Sequence, residues 1–240
     1  MRILLINANT TQAITDRLVA VAQSLSPANV TFPGATARFG ARYIASRAAN
    51  AIAGHAVLDA YAEHGAGADA VLLGCFGDPG LDALREIAPV PVLGLADASA
   101  EAAMRVARRF GVVTGGAAWK PMLEEFFAAR GHAARLAGIR TVAPSGGEIA
   151  RDPDAALALL ADACEATARE DGAEAVVLGG AGLVGLAAKL QGRVSVPVIC
   201  SVEAGVRAAI AALGRPPAAM RPHEPIETVG LSAALAGRLD

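Results

Sequence analysis

The stretch Gly67-Ala-Asp-Ala-Val-Leu-Leu-Gly-Cys75 is written a second time, from position 172, as Gly172-Ala-Glu-Ala-Val-Val-Leu-Gly-Gly180. Further along, Pro91-Val-Leu-Gly94 returns from position 197 as Pro197-Val-Ile-Cys200. Each copy holds a short run that is apolar at every position, the pattern of a parallel strand covered on both faces. Two copies of one unit imply two similar lobes related by a pseudo-twofold axis, with a cleft between them. The copies part company at their last residue. One strand ends in Cys75, a thiol able to carry a proton, and the other in Gly180, which has no side chain.

Working outward, apolar runs at residues 2–6, 70–73, 92–95, 111–113, 175–178 and 196–199 read as strands, with helical patterns between them. Asn9-Thr10-Thr11 offers capping groups to a helix over 14–25. Asp78-Pro79 reads as N-cap and first residue of a helix over 80–87, and Asp152-Pro153 does the same for 154–169. In the latter, Ala156, Leu157, Leu159, Leu160 and Ala163 form one apolar side. Residues 31–42 read as a loop over the cleft. Residues 214–225, with four prolines, read as an extended segment before a short helix within 231–239. Alternating β and α elements give an α/β fold of two pseudosymmetric lobes, each a mostly parallel sheet flanked by helices. The expected boundaries are 1–97 plus 205–240 for the first lobe and 98–204 for the second. In such sheets ligands bind beyond the carboxyl ends of the strands. Asn7, Asn9, Cys75, Thr114 and Gly180 all fall at those ends.

Composition narrows the function. Of the 240 residues 54% are hydrophobic but only 4% aromatic, so the core is built of alanine, valine and leucine. A net charge of −2 gives no general attraction to nucleic acid or to an anionic membrane. No segment has the ~20 uncharged apolar residues of a membrane span. Cys75, Cys164 and Cys200 leave at least one thiol unpaired, and no Cys/His spacing suits a metal. Free thiols fit a reducing cytoplasm.

Cys75 lies in Leu73-Gly-Cys-Phe-Gly-Asp-Pro-Gly80. The glycines admit a ligand closely, and the N–H groups at the start of the following helix, capped at Asp78, can bind a carboxylate or developing oxyanion and favour a thiolate, the Asp78 carboxylate working the other way. Gly180-Ala-Gly-Leu-Val-Gly185, with Glu203 about twenty residues on, formally matches a dinucleotide-binding pattern. Its strand is late in its lobe, however, and equivalent to the one bearing Cys75, so a tight turn against a ligand is the better reading. Trp119 can wall a pocket for a flat ligand or pack against the other lobe. Asp97 and Glu203 match across the halves and suit first turns of helices.

These motifs resemble the aspartate/glutamate racemase superfamily, and within it the hydantoin and allantoin racemase branch, over nearly the whole chain. Asn7-Ala-Asn-Thr10 resembles that branch's Asn-Pro-Asn-Thr. Gly74-Cys-Phe-Gly-Asp-Pro-Gly-Leu-Asp82 is similar to its first cysteine motif, and Phe110-Gly-Val-Val-Thr114 to its central strand. Leu178-Gly-Gly-Ala-Gly-Leu183 stands where the branch usually has Leu-Gly-Cys-Ala-Gly-Met. Pro197-Val-Ile-Cys200 resembles the segment after it, where Asp is common in place of cysteine. The resemblance implies an enzyme that uses neither metal nor organic cofactor, acts on a small molecule and assembles from identical chains. Two thiols would flank a carbon acid beside a carbonyl, one removing a proton and the other returning one. It implies Cys75 as one acid/base and Asn7, Asn9 and Thr114 as clamps on substrate oxygens. N–H groups near Phe76, Ala181 and Gly182 would hold the enolate. Gly180 departs from the pattern. Three readings are open: another far-face donor (Cys200, Glu203 or water), a one-thiol catalyst resembling arylmalonate decarboxylase, or a non-catalytic binder of small molecules.

Overall fold

The computed structural model describes residues 1–143, 145–152, 154–216 and 226–239. Pro153, read from sequence as the first residue of a helix, and most of the proline-rich 214–225 segment lie outside the described residues. The chain divides into two compact units, Met1–Gly94 with Val206–Asp240, and Leu95–Gly205.

The first unit runs β1 (Ile3–Asn7), α1 (Gln12–Ser24), β2 (Gly34–Thr36), α2 (Arg47–His64), β3 (Ala70–Leu73), α3 (Leu81–Ile87) and β4 (Val92–Gly94). Its four strands are all parallel, in the order β2-β1-β3-β4. The second unit runs α4 (Leu95–Val106), β5 (Phe110–Gly115), α5 (Trp119–Ala129), β6 (Leu136–Val142), α6 (Gly146–Arg151), α7 (Leu157–Arg169) and β7 (Ala175–Gly179). A 3-10 turn (Ala181–Leu183), α8 (Leu186–Leu190) and β8 (Val198–Cys200) complete it. This sheet is also parallel, in the matching order β6-β5-β7-β8. The division falls within α9 (Ser201–Ala212), and α10 (Ala233–Ala236) belongs to the first unit.

Every residue of β1, β3, β5 and β7 is buried, as expected for central strands sandwiched by helices. The register aligns their carboxyl ends: Ile6 pairs with Leu73 and Leu73 with Gly94, while Val113 pairs with Leu178 and Leu178 with Cys200.

Two of the four edge strands, β2 and β6, run against expectation. Residues 31–42 contain β2, a three-residue strand whose Gly-Ala-Thr sequence has no apolar run. A Cβ on Gly34 would lie 2.7 Å from Thr15 and 2.8 Å from Val19, so the glycine is what lets α1 approach. β6 is half-exposed and carries Arg140, paired with Asp171 at 2.7 Å. Its Gly138 has no Cβ because Asp171 occupies that space. The helix expected from 154 starts instead at Leu157. Asp152 does act before it, its Oδ1 accepting from Ala155 N–H at 3.2 Å. The buried side of α7 is Leu160, Cys164 and Thr167, and Leu159 faces out. α6 is a helix that the apolar pattern does not announce. Ser145 and Glu148 cap it reciprocally, the two-way arrangement of a capping box.

α10 is tied down by one buried carboxylate. Asp59 of α2 accepts from Arg38 Nε and Nη2, both at 2.8 Å, and from Ser232 Oγ at 2.7 Å. Burial pushes the Asp59 carboxyl up, but the bonds from Ser232 and Arg38 outweigh it and hold the group below its ordinary range. Ser232 in turn caps α10 by accepting from Leu235 N–H. Asp59→Ala removes the acceptor for three donors and is expected to cost about 2 kcal/mol, measured by urea denaturation, with exchange protection of the α10 amides lost first.

Candidate active site

In the first unit Asn7 ends β1 and is fully buried. Its Nδ2 donates among Asn9 Oδ1 (3.1 Å), Thr11 O (3.2 Å) and Thr15 Oγ1 (3.1 Å), and its Oδ1 accepts from Asn9 N–H at 3.1 Å. Asn9 Oδ1 also accepts from Thr11 N–H at 2.9 Å, which starts α1 where the Thr11 hydroxyl makes no cap. Asn7 is thus the keystone of its loop rather than an open donor. Asn9 is half-buried, and its side-chain oxygen faces back into the same loop. The loop after β2 is sewn to this one by Ala37 N–H to Asn7 O (3.0 Å), Thr10 N–H to Ala41 O (3.1 Å) and Thr11 Oγ1 to Arg42 O (2.8 Å).

Cys75 comes after β3, directly behind Gly74, and is 8% exposed. A Cβ on Gly74 would lie 2.8 Å from Leu18 of α1. The Cys75 carbonyl accepts from Asp78 N–H at 3.1 Å, and the chain then turns through Gly77 (φ +107°), Asp78 (φ +48°) and Gly80 (φ +77°). Asp78 is therefore not the N-cap of α3. That place belongs to the left-handed Gly80, with no side-chain cap. Nor is a thiolate favoured, as the N–H groups of the following helix suggest in sequence. Burial, reinforced by the Asp78 carboxylate, pushes the Cys75 thiol up to about 12, so it carries its proton at neutral pH. Phe76, next in the turn, is buried.

In the second unit Thr114 is buried in β5 and pairs in register with Gly179. Gly180 has φ +130° and ψ +139°, and its N–H donates to Ser201 Oγ at 3.1 Å. A Cβ there would lie 3.2 Å from Leu183 Cδ1 and 3.8 Å from Thr114 Oγ1. The fold thus brings Thr114 and Gly180 together. Gly180, Ala181 and Gly182 are all partly open to solvent. Beyond Gly180 the chain forms a 3-10 turn and a five-residue α8, not the long helix that a dinucleotide-binding turn opens.

Cys200 ends β8 beside Leu178, and its sulfur takes hydrogen bonds from the backbone N–H groups of Glu203, Gly185 and Val202. Burial, with a smaller push from the charge of Glu203, outweighs these donors and raises the thiol above its ordinary value. Ser201, fully buried beside it, is a site residue that sequence reasoning misses. Its only signal is that the first copy has Leu95 at the equivalent place. Trp119 is buried as the first residue of α5, and Asp97 lies in the first turn of α4, 3.9 Å from Arg130. Among the described residues no group of His, Cys, Asp and Glu is placed to hold a metal ion, and no helix is long and apolar enough to cross a membrane.

Two units of matching all-parallel topology, with a thiol after a central strand of the first, fit the class of racemase-type enzymes. Residues 3–209 match the family described as Asp/Glu/Hydantoin racemase, and the chain belongs to that family. Hydantoin racemase of Paenarthrobacter aurescens is 36% identical over 220 residues, covering 89% of this chain and 92% of that one. Hydantoin racemase of Pseudomonas sp. (strain NS671) is 35% identical over 208 residues, 86% and 84% of the two chains. The crystal structure of allantoin racemase from Pseudomonas fluorescens superimposes with a TM-score of 0.91 at 31% identity, covering 96% of this chain and 100% of that one.

Gly180 cannot simply be replaced by the thiol of the resemblance. Its φ of +130° is a conformation that side chains other than glycine's rarely adopt. Gly180→Cys is expected to cost about 1–3 kcal/mol, seen as a lowered urea midpoint. Gly185→Ala, which meets no atom within 4 Å, is the control for a left-handed position without crowding.

Proposed function

We propose that this enzyme transfers protons at a carbon beside a carbonyl, through an enolate, with Cys75 as acid/base and a hydantoin-type ring as substrate. The observation that carries this reading is the placement of Cys75. It is a buried thiol at the carboxyl end of a central strand, inside the segment that most resembles the racemase motif. The hydantoin and allantoin racemases among the relatives supply the substrate class.

In the first half-reaction the Cys75 thiolate takes the proton from carbon, and the C–H electron pair passes into the carbonyl as an enolate. Asn9 directs its amide to a ring carbonyl, while Asn7 holds that loop in shape. The Thr114 hydroxyl and the N–H groups of Phe76, Ala181 and Gly182 stabilise the developing oxyanion, where donors fixed in advance are worth most. A proton returned to the opposite face completes inversion. Gly180 cannot supply it. Cys200 is the best-supported second acid/base, because its sulfur lies on the strand next to β7 and its three N–H donors stabilise the thiolate left after donation. If Cys200 does not act, Cys75 alone delivers protons to one face, the behaviour of a stereospecific one-thiol enzyme.

The test is solvent-deuterium exchange, monitored by NMR and optical rotation, on both enantiomers of 5-substituted hydantoins and of allantoin, with aspartate and arylmalonates beside them. Exchange at the ring carbon of a hydantoin is expected, and Cys75→Ala should lower it at least about a thousandfold with the fold retained. Binding without exchange on any substrate would make the protein a binder. A thiol raised to about 12 is nearly all protonated at pH 7, and its thiolate fraction grows about tenfold per pH unit. Proton abstraction should therefore accelerate from about pH 7 to 10, and a rate falling over that range would contradict Cys75 as the base. Cys200→Ala should slow exchange of one enantiomer much more than the other, and equal slowing would remove Cys200 from the mechanism.

A further inference from the structure

Asp78 closes the turn that Cys75 opens, and their Cα atoms lie within about 7 Å of each other, as in any such turn. Among the described residues it is the one non-glycine with positive φ. It is only 3% exposed, and taking a carboxylate out of water is costly. The sheet leaves a space for it. A Cβ on Gly94 would lie 2.1 Å from Asp78 Oδ2 and 2.2 Å from its Cγ. Gly94 ends β4 and pairs with Leu73, two residues before Cys75. The acid thus sits at the end of the strand beside the one that delivers the thiol.

The second unit has neither half of this arrangement. The repeat sets Leu183 against Asp78 and Cys200 against Gly94. An acid that only shaped the turn would serve both copies equally, since both reach a left-handed glycine, Gly80 or Gly185, before the next helix. The carboxylate and its glycine space are found only in the copy with the thiol after its central strand.

We propose that Asp78 is a positioning residue for Cys75: its buried carboxylate holds the sulfur in the protonated form at rest and makes the thiolate, once formed, a stronger base toward a weakly acidic C–H. This deepens the assignment of Cys75 as proton carrier and rests on it. The negative charge disfavours a second one nearby, which matches the direction in which Asp78 moves the thiol. The other charged groups and histidines on the neighbouring helices are Asp82, Arg85 and Glu86 on α3, Asp16 and Arg17 on α1, and Arg47, His55, Asp59, Glu63 and His64 on α2. They do not contribute to that shift. Nothing is oxidised or reduced. The thiolate lone pair binds the proton as the C–H pair becomes the enolate, and the thiol later returns the proton to carbon or solvent.

The test is alkylation of Cys75 by iodoacetamide from about pH 6 to 12, read at that peptide by mass spectrometry, in the natural chain and in Asp78→Asn. Asparagine is nearly isosteric and adopts the left-handed conformation as well as aspartate does. The alkylation midpoint of Cys75 should fall by a pH unit or more in Asp78→Asn, so that Cys75 reacts about tenfold faster at pH 8, while the Cys200 midpoint stays in place. An unmoved Cys75 midpoint overturns the proposal. Should Asp78→Asn not fold, Gly94→Ala, which expels the carboxylate, must lower the midpoint in the same way. A midpoint in the natural chain near that of a free cysteine overturns it with no variant at all. Alkylation reads the thiol without turnover, so this failure is distinct from an active Cys75→Ala enzyme, which would instead remove Cys75 from catalysis.

Discussion

A parallel strand with helices on both faces can carry almost nothing but apolar side chains, and this chain obeys that constraint four times over. β1, β3, β5 and β7 are buried along their whole length. With so few aromatic residues, close approach of helix and sheet takes the place of bulky rings. Gly34 and Gly74 let α1 down onto the first sheet, and Gly111 makes room for Thr167 of α7 on the second. Polar chemistry is therefore displaced to the strand ends, where the register lines up Asn7, Cys75 and Gly94 in one unit and Thr114, Gly180 and Cys200 in the other.

The two units solve the same packing problem with opposite choices. In the first, a thiol stands at the end of β3, and a glycine at the end of β4 yields its side-chain space to Asp78. In the second, the glycine stands at the end of β7 and the thiol at the end of β8, its sulfur met by backbone donors as well as by the charge of Glu203. Bulk and bare backbone have changed places between adjacent strands. The electrostatic settings of the two thiols differ accordingly. A negative group opposes ionisation of each thiol, Asp78 at Cys75 and Glu203 at Cys200, but N–H dipoles work in favour of ionising Cys200, against its burial.

The repeat makes the two parallel sheets and their central strands legible, because a buried strand must announce itself as an apolar run. Of the four edge strands, β4 and β8 are legible and β2 and β6 are not. One is three residues of Gly-Ala-Thr, and the other mixes Arg140 and Gly138 into a face half open to water. Their pairing is dictated by the neighbouring strand, not by their own composition. α6 carries its capping box in Ser145 and Glu148, but the two glycines between them mask it. At the site, position along the chain is legible and local role is not. Asn7 reads as a substrate donor in sequence, yet its amide is consumed by acceptors at Asn9, Thr11 and Thr15. Asp78 reads as a helix cap, because an Asp-Pro pair usually is one. Its positive φ and its place over Gly94 depend on a strand fourteen or more residues away.

Gly180 also bears on how the chain can change. Two of the four glycine codons lie a single base from a cysteine codon, so a thiol at such a position can be one mutation away. Yet the peptide at that position has settled into a geometry that disfavours any L side chain, with Leu183 leaning into the space a Cβ would take. The backbone and its neighbour are fitted to the missing sulfur, and the arrangement acts as a ratchet. A symmetric pair of thiols would ask the backbone to hold a side chain at positive φ and Leu183 to give way at the same time.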